Sequence, residues 1–198
     1  MPSPSREITL RFLAQPTDAN FGGKVHGGSA MKWLDEAGYA CACGWSGRYC
    51  VTAFVGNMNF QHPISVGHLI ELNAKAIHTG KSSMHIAVNL SSGDPKSGLL
   101  SKAMYCIMIF VAVDDDGQSV EVPEWVPVSE ADTQLEKYAI TIKNFRDSNK
   151  SELESIMEHQ SKIDAEVHSQ AFLNRAFYIP AFDLPCFAMG FLASFFEL

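Results

Sequence analysis

The stretch Asp18–Gly38, DANFGGKVHGGSAMKWLDEAG, decides how the chain is read. A glycine-rich turn runs into a helical pattern in which Ala30, Met31, Trp33, Leu34, Ala37, Tyr39, Ala40 and Ala42 continue to about Gly44. These residues are distributed around almost the whole circumference, so the spacing predicts a helix enclosed by other structure. A carboxylate in its middle, Asp35, next to Glu36, interrupts it. A carboxylate among apolar side chains is costly unless hydrogen-bonded or wetted by a cavity, so Asp35 points to a water-containing pocket and is a candidate general base. It lies seven residues after Gly28, about 10 Å along the axis on the same face, and its side chain leans back towards the helix start. The first turn of a helix carries N–H groups without intrahelical partners, and glycines there let a ligand reach the backbone. Gly27 and Gly28 therefore offer an oxyanion site. Spacing alone leaves plainer alternatives open: a tight helix entry at Gly27–Gly28, an Asp35 facing solvent beside Glu36, an Asn20 closing its own turn, and a His26 that caps or packs.

Composition narrows the classes. At 198 residues and 46% hydrophobic, the chain can bury one good core. With 15 Lys plus Arg against 22 Asp plus Glu it is acidic and has no basic run to follow a phosphate backbone, which argues against nucleic acid. The five cysteines lack the paired spacing of a zinc site and read as buried thiols of a reducing compartment. His62, His68, His78, His85, His159 and His168 show no metal spacing, so no metal is expected. Neither a signal peptide nor a membrane-spanning run is apparent, and the expectation is a cytoplasmic protein.

Beyond Arg48 the period changes to two. Ile70, Leu72, Ala74 and Ala76 alternate with polar residues, as do Met84, Ile86, Val88 and Leu90, around a hairpin at Thr79-Gly80-Lys81. Val51–Phe60 and Lys102–Val113 supply further strands; the second, apolar on both faces, belongs mid-sheet with the helix on one side and another element or a second subunit on the other. The order is strand, helix, then consecutive antiparallel strands. Asp114-Asp115-Asp116-Gly117 and Pro123 and Pro127 close this region, giving a domain over residues 1–128. Residues 129–198 read as a C-terminal helical extension: one or two surface helices over Glu130 to about Val167, then an aromatic tail packed on its own protein or a neighbour, not on a membrane.

Asn20-x5-His26-Gly27-Gly28 followed by Asp35, then Val51-Thr52, Phe60-x2-Pro63, Val66-Gly67 and Thr79-Gly80-Lys81-Ser82-Ser83, resembles a hotdog-fold acyl-CoA thioesterase over roughly Ile8 to Val122. Within that family the chain is most similar to the cytosolic acyl-CoA hydrolases of the YciA and brain acyl-CoA hydrolase type. The resemblance implies an α+β hotdog fold, a long central helix wrapped by an antiparallel β-sheet. It implies hydrolysis of acyl-CoA to a fatty acid and coenzyme A, with no cofactor beyond the coenzyme A of the substrate. Asp35 would activate water or attack directly; Asn20 and the Gly27 or Gly28 N–H would hold the thioester oxygen or the water. His26 is a candidate substrate donor, Thr52 a water-positioning hydroxyl, and Lys81, Ser82 and Ser83 match the loop along pantetheine or phosphate. Relatives dimerise by joining sheets and assemble into tetramers or hexamers, with Asp35 of one chain facing Asn20 and Gly27 of its neighbour; isolated monomers should be inactive. Gly56-Asn57 and His68 replace acidic residues common in the family, which leaves substrate preference open. Phe54, Met58 and Trp33 are candidate walls of the acyl tunnel. A hotdog hydratase and a non-catalytic acyl-CoA sensor are the rival readings.

Overall fold

The computed structural model describes residues 5–176. The aromatic tail from Phe177 onward, with Cys186, lies outside the described residues. Strand β1 (Glu7–Leu13) is followed by helix α1 (Gly27–Ser46), then by β2 (Tyr49–Phe60), β3 (Leu69–Thr79), β4 (Ser83–Gly93) and β5 (Ser101–Val113), and finally by helix α2 (Glu130–Ala176). The five strands form one antiparallel sheet in the order β1-β3-β4-β5-β2, with α1 laid across one face. This is the expected hotdog arrangement.

Each element follows from local chemistry. His26 caps α1 at its start, and Gly47, in the left-handed conformation at φ 64°, closes it by donating its N–H to the Cys43 carbonyl. The period-two segments become β3 and β4, joined tightly enough that Gly80 N–H donates to the Ser83 carbonyl at 2.8 Å. Alternation sends Leu72, Ala74, Met84, Ile86, Met108 and Phe110 into a core against Leu34, Ala37 and Cys41 of α1. At Gly38 the helix comes so near β5 that a Cβ would stand 2.8 Å from the Phe110 ring. Only glycine admits that approach.

The structure corrects the burial of α1 and the surface placement of α2, and supplies the element expected on the far face of β5. Helix α1 buries a stripe, not its whole circumference: Met31 and Tyr39 remain 45% and 38% exposed. The second apolar face of β5 is covered within the chain, because Leu135, Ala139 and Ile142 of α2 recur at helical spacing and pack on Ile77, Ala87 and Ile107. The start of α2 is thus built into the sheet and is not a surface helix. Asp132, buried there, is ion-paired with Arg6, whose guanidinium also lies 4.6 Å above the Trp125 ring. That guanidinium holds the Asp132 carboxyl well below the usual carboxylate range.

The chain divides into two compact units, residues 1–146 and 147–198. In the second, the described part of α2 carries an ion pair between Lys150 and Glu154 and a Gln160–Asp164 hydrogen bond. Among the described residues no helix is long and apolar enough to cross a membrane.

Candidate active site

Asp35 sits half-buried in the middle of α1. Its partner comes from the edge strand: Thr52 Oγ1 donates to Asp35 Oδ1 at 2.6 Å. Alternation along β2 turns Cys50 and Thr52 towards α1, and a bulge between Thr52 and Phe54 then shifts the register. Phe54 consequently joins the opposite face, packing with Ile77 and Ile107 beneath Arg146. It lies on the opposite face of the sheet from Trp33, which packs edge-on against Phe12 in the α1 core; Met58 stays on that core side.

The thiols nearby are no rivals to the carboxylate. Burial pushes Cys106 up to about 12, with the Asp35 charge adding in the same direction, and burial likewise raises Cys41 to about 12 and Cys50 to about 11. Such groups are neutral thiols at physiological pH and poor nucleophiles. The influence of Asp35 on Cys106 was not readable in the sequence, since it arises from the packing of α1 across β5.

The glycine turn is closed by its own polar groups. Asn20 Oδ1 accepts from the N–H of Gly22 at 2.9 Å and of Lys24 at 3.1 Å, so its amide NH2 is the part left for a ligand. His26 Nδ1 accepts the Gly28 N–H at 2.9 Å. Gly27 faces the Phe60 ring, 3.5 Å from where a Cβ would stand. Asn20 and His26 thus have the turn and cap geometry that spacing left as alternatives, while Asp35 is bonded to Thr52 and does not face solvent freely.

Within one chain these groups do not converge. Gly27 and Asp35 are eight residues apart on one helix, about 12 Å, whereas one thioester carbonyl needs its nucleophile and its donors within about 3 Å. The hairpin is also separate: Thr52 is level with Phe110, Met84 and Thr79 across three strand spacings, about 14 Å. Lys81 there pairs with Glu121 at 3.4 Å at the rim of a cavity of about 290 Å³ that Glu124 also lines. Ser82 and Ser83 flank it, their carbonyls accepting from Ala112 and Gly80.

Known proteins share the fold and much of the sequence. The thioesterase superfamily pattern matches residues 22–99, which include Asp35, Thr52 and the glycine turn but not Asn20. The acyl-CoA thioester hydrolase YciA of Salmonella typhimurium is 32% identical over 124 residues, 61% of this chain and 93% of that protein. The chain belongs to the acyl-CoA thioester hydrolases of the thioesterase superfamily. This hydrolase is also similar to the human cytosolic acyl coenzyme A thioester hydrolase, with 34% identity over 63% of this chain and 33% of the human one. A hexameric acyl-CoA thioesterase of known structure matches 73% of the chain and 92% of its own length at 27% identity, with a TM-score of 0.69.

Proposed function

We propose that the protein hydrolyses acyl-CoA thioesters to a carboxylic acid and coenzyme A, with Asp35 as the working carboxylate. The observation that carries this reading is the Thr52–Asp35 hydrogen bond: it fixes one carboxylate oxygen and leaves the other to act. Asp35 takes a proton from the attacking water, or attacks the carbonyl itself to give an anhydride that water then opens. The carbonyl oxygen, negative in the transition state, is held by the Gly27 N–H with the Asn20 amide beside it. The coenzyme A thiolate leaves. No resident cofactor enters this scheme. A hydratase or a binding-only sensor is disfavoured by the hydrolase names of the relatives, and a sensor has no use for a half-buried carboxylate.

Because Asp35 and Gly27 of one chain are too far apart to share a carbonyl, a second chain must complete the site. The edge of β2 is suited to bring it. Val51, Ala53 and Val55 are exposed along it, whereas the opposite edge strand β1 carries Glu7 and Arg11; charged edges resist pairing and apolar ones invite it. Met31 and Tyr39, exposed on α1, would be covered in the same dimer. Assembly into a hexamer has its precedent in the structural relative, and the cytosolic human relative supports a cytoplasmic location.

The test is thiol release from acyl-CoAs of increasing chain length, with wild type and Asp35→Asn compared at equal concentration. Loss of at least about a hundredfold in turnover is expected for the variant. Unchanged release would overturn the assignment, and tight acyl-CoA binding without turnover by wild type would favour the sensor.

A further inference from the structure

His26 is the residue immediately before Gly27, and its side chain bonds the next residue, Gly28. It sits outside the first turn of α1 with its N–H donated to the Asp18 carbonyl at 2.7 Å, which anchors its backbone to the preceding turn. Its side chain then folds back, and Nδ1 takes the Gly28 N–H at 2.9 Å. A Cβ on Gly28 would stand only 3.1 Å from that nitrogen, so the glycine is what lets the ring lie against the helix start. Two consequences follow from the chemistry of imidazole. A nitrogen that accepts a hydrogen bond carries no proton, so the ring is neutral with its proton on Nε2. The bonded Gly28 N–H, in turn, is not available to a substrate oxygen.

We propose that His26 is a positioning residue of the oxyanion site: by engaging Gly28 through Nδ1 it fixes the orientation of the first helical turn and assigns the oxyanion to the Gly27 N–H. The inference rests on the hydrolase reading. It differs from a role for His26 as a substrate ligand, in which Nε2 would be the functional atom. The distinction matters because a displacement of about 1 Å in a donor costs up to about a hundredfold in rate.

Side chains that mimic one ring nitrogen at a time separate the two roles. Asparagine places its carbonyl oxygen where Nδ1 stands and is a favoured helix cap, whereas glutamine reaches the position of Nε2. With the full-length oligomer and saturating acyl-CoA, His26→Asn is expected to keep kcat within about fivefold of wild type, and His26→Gln and His26→Ala to lower it about a hundredfold with KM changed less than about threefold. Retention of kcat by His26→Gln with loss in His26→Asn would overturn the proposal in favour of a substrate contact through Nε2. Wild-type kcat in His26→Ala would overturn it outright. Circular dichroism and size exclusion check that each variant folds and assembles.

A second measurement does not depend on turnover. Nitrogen NMR of the histidine-labelled protein at neutral pH, with the His26 signal assigned by its absence in His26→Asn, should show an unprotonated Nδ1 and a protonated Nε2. The opposite tautomer would contradict the proposal even in a protein with full activity. Absence of coenzyme A release by wild type from every acyl-CoA would sink the hydrolase reading, while the tautomer would still decide whether Gly28 is held by His26.

Discussion

Asp35 and Thr52 are joined by one hydrogen bond, and the chemistry assigned to the carboxylate depends on its orientation. Thr52→Val keeps the shape of the side chain and removes the donor. It should lower kcat about tenfold or more while leaving KM nearly unchanged, a split that steady-state kinetics reads directly. Equal loss in both parameters would mean that Thr52 touches substrate. At this scale the sequence was informative about residue types and poor about partners. Asp35 stood out because a carboxylate is costly in an apolar helix, and Asn20 and Thr52 stood in an ordered set. That Asn20 Oδ1 is consumed by Gly22 and Lys24, and that Gly28 is consumed by His26, depends on loop dihedrals that spacing does not encode.

Among the elements, the helix and the strands were legible because their burial is periodic. Strand β3 alternates over most of its length, β4 keeps Met84, Ile86, Val88 and Leu90 on one face, and α1 begins at the two glycines as the spacing predicts. What was missed depends on single-residue events or on contacts distant in sequence. The bulge after Thr52 moved Phe54 to the far face, and Ala139, a residue small enough to pass unnoticed, completed the stripe that binds α2 to the sheet. Two stabilities test this packing. Gly38→Ala forces a methyl to within 2.8 Å of the Phe110 ring and should cost about 1–3 kcal/mol. Ile142→Ala removes a side chain that is 8% exposed over Ile107 and should cost about 2–4 kcal/mol. Urea unfolding of both variants measures the losses; a change below about 0.5 kcal/mol in either would mean that the contact is not made.

The whole molecule adds a pH dependence and a symmetry. Asp132 has its folded-state carboxyl held below its ordinary value of 3.8, chiefly by the hydrogen bond from Arg6. A depressed carboxylate stabilises the fold above that ordinary value, and the contribution is lost as pH falls below it. Wild type should therefore lose more urea resistance than Asp132→Asn between about pH 5 and pH 2; parallel losses would place the acid sensitivity elsewhere. Symmetry could not be read from one sequence by pattern alone, because Gly27 and Asp35 lie about 12 Å apart on one helix and the proposed reaction assigns both to one carbonyl. The proposed two-fold dimer would resolve this by presenting the same elements twice.

The central claim is that each site takes Asp35 from one chain and the glycine turn from another. Complementation tests it: chains carrying Asp35→Asn and chains carrying Asn20→Ala, each nearly inactive alone, are co-expressed under separate tags and assayed for coenzyme A release. Random pairing makes half the dimers mixed, each with one intact site, so recovery of about a quarter of the wild-type rate is expected. A mixture that shows mixed dimers yet stays as inactive as its components would contradict a site shared between chains.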